Sequence, residues 1–406
     1  MKSTVVLVGT LDTKGGEFAF VRDAIRRAGH DVICVDFGVL GEPAFTPDIE
    51  RAEVARAGGG DIARMRAEQR KDVAMSIMAR GLTAVVRDLH AAGRLDGILG
   101  MGGSGGTSIA TAAMRALPVG VPKLMVSTVG GGDVAPYAGT RDITFMPSVV
   151  DVAGFNRISR RIYANAAGAI SGMVAVPKLQ EAAGTRLVAV TMFGNTTPAV
   201  DRARAGLESA GIEVLVFHAT GAGGRTMEDM VLDGAFEGLL DLTTTELADE
   251  VCGGVMSAGP DRCLAAPRMG TPVVLVPGCV DMANFAARET VPTRFSGRLL
   301  YEWNPNVTLL RTDVAENRVI GEMLARAANA ATGPVTVLLP LRGVSMLDSP
   351  GGAFWDPDAD TACFDAIRQN VDLHVTVVEI DCNINDAEFA DRAAGALVDL
   401  MSSVRS

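Results

Sequence analysis

The chain has 406 residues, of which 48% are hydrophobic and 21% are charged, so its length suits two domains and its composition excludes general disorder. Its formal net charge of −11 disfavours nucleic acids and anionic membranes as partners, although a local basic pocket could still hold a small anion. No apolar segment reaches the roughly 20 residues that cross a membrane. The six cysteines lack C-x-x-C spacing, so we expect reduced thiols in a cytoplasmic protein.

Short apolar runs alternate with helical patterns along the first part of the chain. Uninterrupted apolar strands separated by helices indicate a parallel sheet with both faces covered. We predict strands at residues 4–8, 32–36, 97–100 and 123–127. Helices are predicted at residues 16–28, at 61–92, from about residue 104, and at 155–173, where a long helix would bridge the two halves of the chain.

The same alternation returns after a joint near residues 167–184. Strands are predicted at residues 187–193, 213–217, 238–242 and 272–276, with helices at 198–210, 226–233 and 246–256. Beyond residue 286 the pattern gives strands at 307–310, 335–339 and 374–380, and helices at 315–331 and 387–401. We expect this tail to extend the second sheet.

Three pairs of segments match in the same order, each at the end of a predicted strand. RRAGHDVICVD aligns with ESAGIEVLVFH, DGILGMGGSGG with EGLLDLTTTEL, and GVPKLMVSTVGGGD with GTPVVLVPGCVDM. The repetition predicts an α/β fold of two Rossmann-like open parallel-sheet domains that arose by internal duplication. We place the first, nucleotide-binding domain at residues 1–180 and the second, with its C-terminal extension, at 181–406.

The strongest functional signal is a run of small residues directly after the third predicted strand. Glycine lets the backbone approach a ligand, and the following helix directs free N–H groups and a positive dipole end towards it. We expect the ligand of this run to be a phosphate or a carboxylate. The alternative is that the run serves only as a tight strand-to-helix turn. The run comprises Gly102, Gly103, Ser104, Gly105, Gly106 and Thr107.

Two further loops should face the same ligand, because the carboxyl ends of parallel strands share one edge of the sheet. Lys14 supplies a cation, and Asp12 or Asp133 could hold Mg²⁺; the alternative for both acids is a helix cap. Asp36 could meet a ribose or cap a strand end. The candidate cofactor-binding residues of these two loops and of the end of the second strand are Gly9, Thr10, Asp12, Thr13, Lys14, Asp36, Gly38, Thr128, Gly130 and Gly131.

The second copy replaces most of these glycines with reactive side chains. His218, Glu246 and Asp281 follow its strands and suit general acid–base chemistry or a metal, unless each is a cap or a satisfied strand-end group. Arg342 follows a later strand and suits a carboxylate or phosphate, unless it forms a surface ion pair. We predict these four residues as catalytic.

Four segments resemble motifs of the Tm-1-like ATP-binding family, and the resemblance extends over essentially the whole chain. They are VLVGTLDTKGGE, GMGGSGGTS, STVGGGDVAPY and PLRGVSMLDSPGGAFWDPDAD. The resemblance implies two Rossmann-like subdomains, ATP bound by the three glycine-containing loops of the first, and self-association as a homo-oligomer. It does not imply a particular reaction.

Three functions follow as hypotheses. The first is an ATP-dependent enzyme, with Mg²⁺ as a possible cofactor, acting on a small anionic metabolite in a cleft between the domains. The second is a non-catalytic ATP-sensing module. The third is an NAD(P)-dependent oxidoreductase, which the missing G-x-G-x-x-G in the first strand–helix turn disfavours.

Overall fold

A computed structural model describes residues 2–152, 154–177 and 186–404. The chain forms two compact units, residues 1–179 and 180–406. None of the helices in these described ranges has both the length and the apolar character needed to cross a membrane.

Within the described residues, the first unit contains a five-stranded, wholly parallel sheet in the order β2-β1-β3-β4-β5. The fifth strand, which the sequence did not predict, is short and partly exposed, so it lacks the apolar run of the others. The strands are β1 (Thr4–Gly9), β2 (Asp31–Asp36), β3 (Gly97–Gly102), β4 (Lys123–Ser127) and β5 (Thr144–Pro147).

Helices cover both faces of this sheet. The helix predicted at 61–92 is in fact two helices, because Gln69 adopts a left-handed conformation with φ of 50° and ends the first of them. The helix predicted to bridge the halves packs on the first unit against α1 and β3. The helices are α1 (Leu11–Arg27), α2 (Arg51–Ala57), α3 (Ile62–Glu68), α4 (Lys71–Ala91), α5 (Ser104–Arg115), α6 (Ala135–Ala138) and α7 (Arg157–Ala175).

Alternation along the strands divides the core into two layers. In β1, Val5 and Leu7 pack with α1 and α7, whereas Val6 and Val8 pack with α4 and α5 on the opposite face. Successive strand side chains point to opposite faces, so one apolar run serves both layers.

The second unit has a parallel sheet in the order β14-β13-β9-β8-β6-β7 and a smaller antiparallel sheet in the order β10-β12-β11, both taken over the described residues. Its strands are β6 (Arg186–Met192), β7 (Ile212–His218), β8 (Gly238–Asp241), β9 (Val273–Leu275), β10 (Met282–Phe285), β11 (Leu300–Asn304), β12 (Val307–Arg311), β13 (Val335–Pro340) and β14 (Thr376–Ile380). Its helices are α8 (Thr197–Ser209), α9 (Ala222–Leu232), α10 (Thr245–Cys252), α11 (Ala265–Met269), α12 (Val314–Asn329), α13 (Pro357–Asn370) and α14 (Ala387–Ser403).

The strand orders of the two units correspond. In each, the first strand lies between the second and the third, and the fourth follows the third, so β6 to β9 repeat β1 to β4. This agreement confirms the prediction of two Rossmann-like parallel sheets, and the shared strand order fits the internal duplication predicted from the sequence.

The tail extends the second sheet only in part. The strands predicted at 335–339 and 374–380 join it as β13 and β14, but the one predicted at 307–310 pairs with β11 in the smaller sheet. A tight turn at Asn304-Pro305-Asn306 connects β11 to β12, with Asn306 N donating to Asn304 Oδ1 at 2.8 Å. Strands joined by so short a turn pair antiparallel with each other, which removes β12 from the parallel sheet.

Two glycines permit close contact between α2 and α4. A Cβ at Gly81 would overlap the carbonyl oxygen of Val54, and a Cβ at Gly58 would overlap that of Ile77. We therefore expect Gly81→Ala to lower the free energy of unfolding by about 1–3 kcal/mol, because the helices must separate.

The control is Gly172→Ala in α7, where a Cβ meets no heavy atom of the described chain within 4 Å. This substitution should raise stability by up to about 1 kcal/mol, since alanine is the better helix former. Urea unfolding of both variants tests the contact, and equal midpoints would contradict it.

Candidate functional site

Three glycine-containing loops meet at the carboxyl edge of the first sheet. Strand β1 pairs with β3, and β3 pairs with β4, with Gly102 opposite Ser127. The helix after β1 lies on one face of the sheet, and the helix after β3 lies on the opposite face. The boundary between β1 and β3 is therefore the switch point at which such sheets bind ligands. The loops predicted at Gly9–Lys14, Gly102–Thr107 and Thr128–Asp133 follow these three strands.

Open backbone amides at the start of α5 form the centre of this edge. Gly103 is the N-cap, and its carbonyl accepts the amide of Thr107 at 2.8 Å. Among the described residues, no side chain caps this helix. Ser104 is exposed and Gly105 is half-buried, so the first-turn N–H groups face the surface with the positive end of the helix dipole. The arrangement can bind an anion.

Other residues of the predicted run Gly102–Thr107 have structural roles. Thr107 is fully buried, and its hydroxyl bonds that of Ser127 at 2.7 Å, which ties α5 to β4. A Cβ at Gly102 would lie 3.2 Å from the Cα of Gly106, so glycine allows the loop to close tightly over the helix. Thr107 is therefore removed from direct ligand contact, whereas Thr128 is exposed at the same edge.

The loop after β1 combines a fixed acid with a lysine. Asp12 Oδ2 accepts the amides of Leu40 and Gly41 at 2.8 and 3.1 Å, while its Oδ1 has no hydrogen-bond partner within the described ranges. Lys14 Nζ donates to the carbonyl of Val152. The hydroxyls of Thr10 and Thr13 lie 3.0 Å apart. Gly9 leaves room for the ring of Phe18 and has a packing role.

Asp36 lies beneath these loops and not on their surface. It is fully buried, and its Oδ1 accepts the amides of Leu11 at 3.0 Å and Gly38 at 2.9 Å. Burial raises the pKa of its carboxyl above the ordinary value. A Cβ at Gly38 would lie 2.5 Å from Asp12 Oδ1, so Gly38 makes space for that carboxylate. The ribose contact predicted for Asp36 is therefore replaced by a structural role.

The third loop is the most open. Gly131 has free space around the position of a Cβ in the described structure, whereas a Cβ at Gly130 would lie 3.2 Å from the backbone of Pro147. Asp133 is exposed and accepts the amide of Ala135 at 3.0 Å in a turn just before α6, whose N-cap is Val134. Across the described ranges, no group of three His, Cys, Asp or Glu residues could hold a metal ion, so any cation here would depend on ligand oxygens as well.

In the second unit, Glu246 is an internal anchor. It is fully buried, and its Oε1 accepts the amides of Gly221 at 2.6 Å and Gly224 at 3.1 Å. Its Oε2 accepts Arg262 Nε at 2.5 Å. A glycine is required at position 224, because a Cβ there would overlap the Glu246 carboxylate. The catalytic role predicted for Glu246 is replaced by stabilisation of the loop after β7.

Arg262 is the centre of this buried ion network, and sequence reasoning missed it. Its guanidinium forms a two-pronged pair with Asp241 at 2.5 and 2.7 Å and also contacts Glu228 at 3.2 Å. Burial raises the pKa of Glu228. Arg262 lies in the irregular segment between α10 and α11, so no strand-end pattern marked it, whereas Asp241 could have been found as the last residue of β8.

Asp281 belongs to a second buried network. Its Oδ2 accepts the hydroxyl of Ser345 at 2.8 Å, and its Oδ1 has no partner among the described residues. Arg311 donates to Asp360 at 2.8 Å and lies 3.6 Å from Asp348. Burial, then the charge of Asp348, raises the pKa of Asp281 to about 7, and the same two causes raise the pKa of Asp360 to about 9.

The remaining two predicted catalytic residues are exposed. His218 ends β7 and makes an edge-to-face contact with Phe193, with ring centroids 5.6 Å apart. Arg342 pairs with Asp381 at 2.8 and 2.9 Å, which is the surface ion pair that the sequence left open. Glu246 and Asp281 thus serve separate buried networks, and the four residues do not form one catalytic cluster.

The Arg262 network gives a prediction about stability. Arg262→Met leaves Asp241 and Glu246 buried without their cation, so we expect a loss of about 3–5 kcal/mol in unfolding free energy. Arg268→Met is the control, since that arginine is exposed and 4.0 Å from Asp261, and it should cost less than about 1 kcal/mol. Denaturant unfolding measures both, and similar midpoints would show that the network is dispensable.

The raised pKa of Asp281 gives a prediction about pH. Between about pH 4 and pH 7 the folded chain keeps a proton that the unfolded chain has released, so this carboxyl makes wild-type stability fall as pH rises through that range. Asp281→Asn removes the titration and retains an acceptor for Ser345. Its stability relative to wild type should therefore rise with pH.

Chemical denaturation at several pH values measures this difference. Asp391→Asn is the control, because exposed Asp391 pairs with Arg202, which lowers its pKa, and that variant should show no such rise. Parallel pH profiles for wild type and Asp281→Asn would contradict the prediction.

Comparisons with known proteins place the chain in a family. Residues 3–179 match the N-terminal domain, and residues 185–401 the C-terminal domain, of "Uncharacterised protein family (UPF0261)". A UPF0261 protein of Clostridium tetani is 47% identical over 403 residues, which cover 99% of this chain and all of that protein. The ToMV resistance protein Tm-1(GCR237) of Solanum lycopersicum is 37% identical over 435 residues, covering 99% of this chain and 56% of the plant protein.

A solved UDP-N-acetylglucosamine 2-epimerase covers 92% of this chain at 9% identity, but its TM-score of 0.25 is too low for the likeness to bear on function. The sequence matches, in contrast, extend over both units and confirm the resemblance to Tm-1-like proteins. The chain belongs to the Tm-1-like UPF0261 family.

Proposed function

We propose that this chain is an ATP-binding protein that uses the nucleotide, held by the first unit, to act on a small anionic metabolite. The open first-turn amides of α5 at the β1/β3 switch point carry the proposal. A polyphosphate has the charge that a helix N-terminus attracts, and the glycines of the loop let it approach the backbone. The resemblance of these loops to those of Tm-1-like ATP-binding proteins supports ATP as the ligand.

The loop after β1 provides the groups that would complete the site. Exposed Thr13 can donate a hydroxyl to phosphate, and Lys14 adds a positive charge beside it. Asp12 is the acid of this loop that could hold a hydrated Mg²⁺; its Oδ1 lacks a partner in the described chain but is buried beside Gly38, so the carboxylate would have to turn outwards to meet the ion. Magnesium commonly binds through one or two carboxylates together with phosphate oxygens and water.

A non-catalytic ATP sensor is the second candidate. The observation that favours it is the burial of Glu246 and Asp281 in networks that stabilise the second unit, which leaves two of the four predicted catalytic residues without access to a substrate. ATP turnover in the presence of small-metabolite pools distinguishes the candidates. Turnover supports the enzyme, whereas tight binding without turnover supports the sensor.

The substitution Ser104→Asp tests the phosphate site. An acid in the first turn of a helix favours the fold, so the variant should remain stable, but its charge occupies the place of the phosphates. We expect ATP affinity to fall about tenfold or more, equivalent to about 1.4 kcal/mol.

Val314→Asp is the matched control, because it adds the same charge at the first residue of α12 in the second unit. It should leave ATP binding unchanged. Calorimetric titration measures affinity, and a parallel series with ADP, NAD and NADP checks the nucleotide. Undiminished ATP binding by Ser104→Asp, or tighter binding of NAD than ATP, would refute the assignment.

A further inference from the structure

A cavity of about 410 Å³ lies at the carboxyl edge of the second sheet, beyond β13 and β14. Its walls include Arg342, Ser345, Met346, Asn383, Asn385 and Asp386. Its volume is in the usual range for small-molecule sites although it is open to solvent, and the carboxyl edge is where open parallel sheets bind their ligands.

Hydrogen bonds within the wall hold this cavity open. Asn383 Nδ2 donates to the carbonyls of Arg342, Ser345 and Asp348 at 3.0–3.2 Å. Asn385 Nδ2 donates to the carbonyl of Asn195 at 3.0 Å, which fixes the loop after β14 to the loop after β6. The wall therefore does not need to be ordered by a ligand, and binding avoids that entropic cost.

Ser345 connects the wall to the buried network beneath it. Its hydroxyl donates to Asp281 at 2.8 Å and accepts the amides of Leu347 and Asp348, each at 3.0 Å. Asp281 is thus a positioning residue that holds Ser345 in this wall. A buried carboxylate can fill this role because it does not require contact with the ligand.

The charges of the cavity select the kind of ligand. Arg342 pairs with Asp381, but both side chains are more than half exposed, and such pairs contribute little to stability. A ligand carboxylate can therefore replace Asp381 on the guanidinium. Exposed Asp386 accepts the amide of Asn383 through Oδ2 at 2.8 Å, and its carboxylate can also accept from a hydroxyl or ammonium group of a ligand.

With Asp381 and Asp386 beside a single arginine, the charges at the cavity disfavour a polyphosphate. We propose that this cavity binds a small carboxylate that carries a hydroxyl or ammonium donor, with the carboxylate on Arg342 and the donor on Asp386. The inference deepens the proposed function, since it gives the class of the metabolite. It depends on that function only for the use of ATP, because binding to the second unit can be measured without nucleotide.

Three six-carbon acids test the proposal by calorimetric titration of the full chain. Gluconate carries hydroxyls, norleucine carries an ammonium group, and hexanoate carries neither; glucose serves as the probe without a carboxylate. We expect gluconate or norleucine, whichever supplies the matching donor, to bind at one site per chain at least tenfold more tightly than hexanoate and glucose. Binding by neither donor-bearing acid at millimolar concentration, or equal binding of hexanoate, would overturn the assignment.

Arg342→Ala should weaken the bound acid at least tenfold and leave ATP affinity unchanged. Arg202→Ala is the matched control, because Arg202 forms an equally exposed two-pronged pair with Asp391 outside the cavity. An equal loss in both variants, or loss of acid binding in Ser104→Asp, would place the acid elsewhere and refute the proposal. Failure of ATP binding with retained acid binding would instead refute only the function proposed for the first unit.

Discussion

Parallel strand pairing is the constraint on which the rest of this structure depends. Because every strand of the two larger sheets runs in the same direction, every loop that follows a strand emerges at one edge. In each unit the first strand lies between the second and the third, so the loops after strands one and three are neighbours. Residues almost a hundred positions apart, such as Asp12 and Ser104, thereby reach the same edge of one sheet.

The two units use this edge differently. In the first, glycines and an uncapped helix leave backbone amides open to a ligand. In the second, charged side chains turn inwards and bond one another, as Glu246 does with Arg262. A buried ion network of this kind contributes little net stability relative to an apolar core, but removing one partner is costly, so it fixes the arrangement of the loops. The first unit thus leaves backbone amides open at its carboxyl edge, whereas the second anchors the corresponding loops internally and has a cavity beyond β13 and β14.

Most strands of the two parallel sheets could be predicted because each is a short apolar run, whereas β5 is short and partly exposed and was not predicted. The helix break at Gln69 could not, because neither glycine nor proline marks it and only the packed chain requires the left-handed turn. β12 was assigned to the wrong sheet, because its composition is that of a buried strand while its pairing depends on the turn before it. Asp36 and Glu246 could be recognised as strand-end or helix-start acids, but their burial depends on neighbours distant in sequence.

The sequence by itself determined the repeated order of strands and helices, the glycine-containing loops of the first unit and the family. Those features are local or periodic, so the pattern of residues contains them. Only the tertiary structure decided which polar side chains are exposed at the strand edges and which bond one another. That choice rests on contacts between remote segments, such as Arg262 with Asp241 and Ser345 with Asp281, because a buried charge needs a partner that only the folded chain brings within hydrogen-bonding distance.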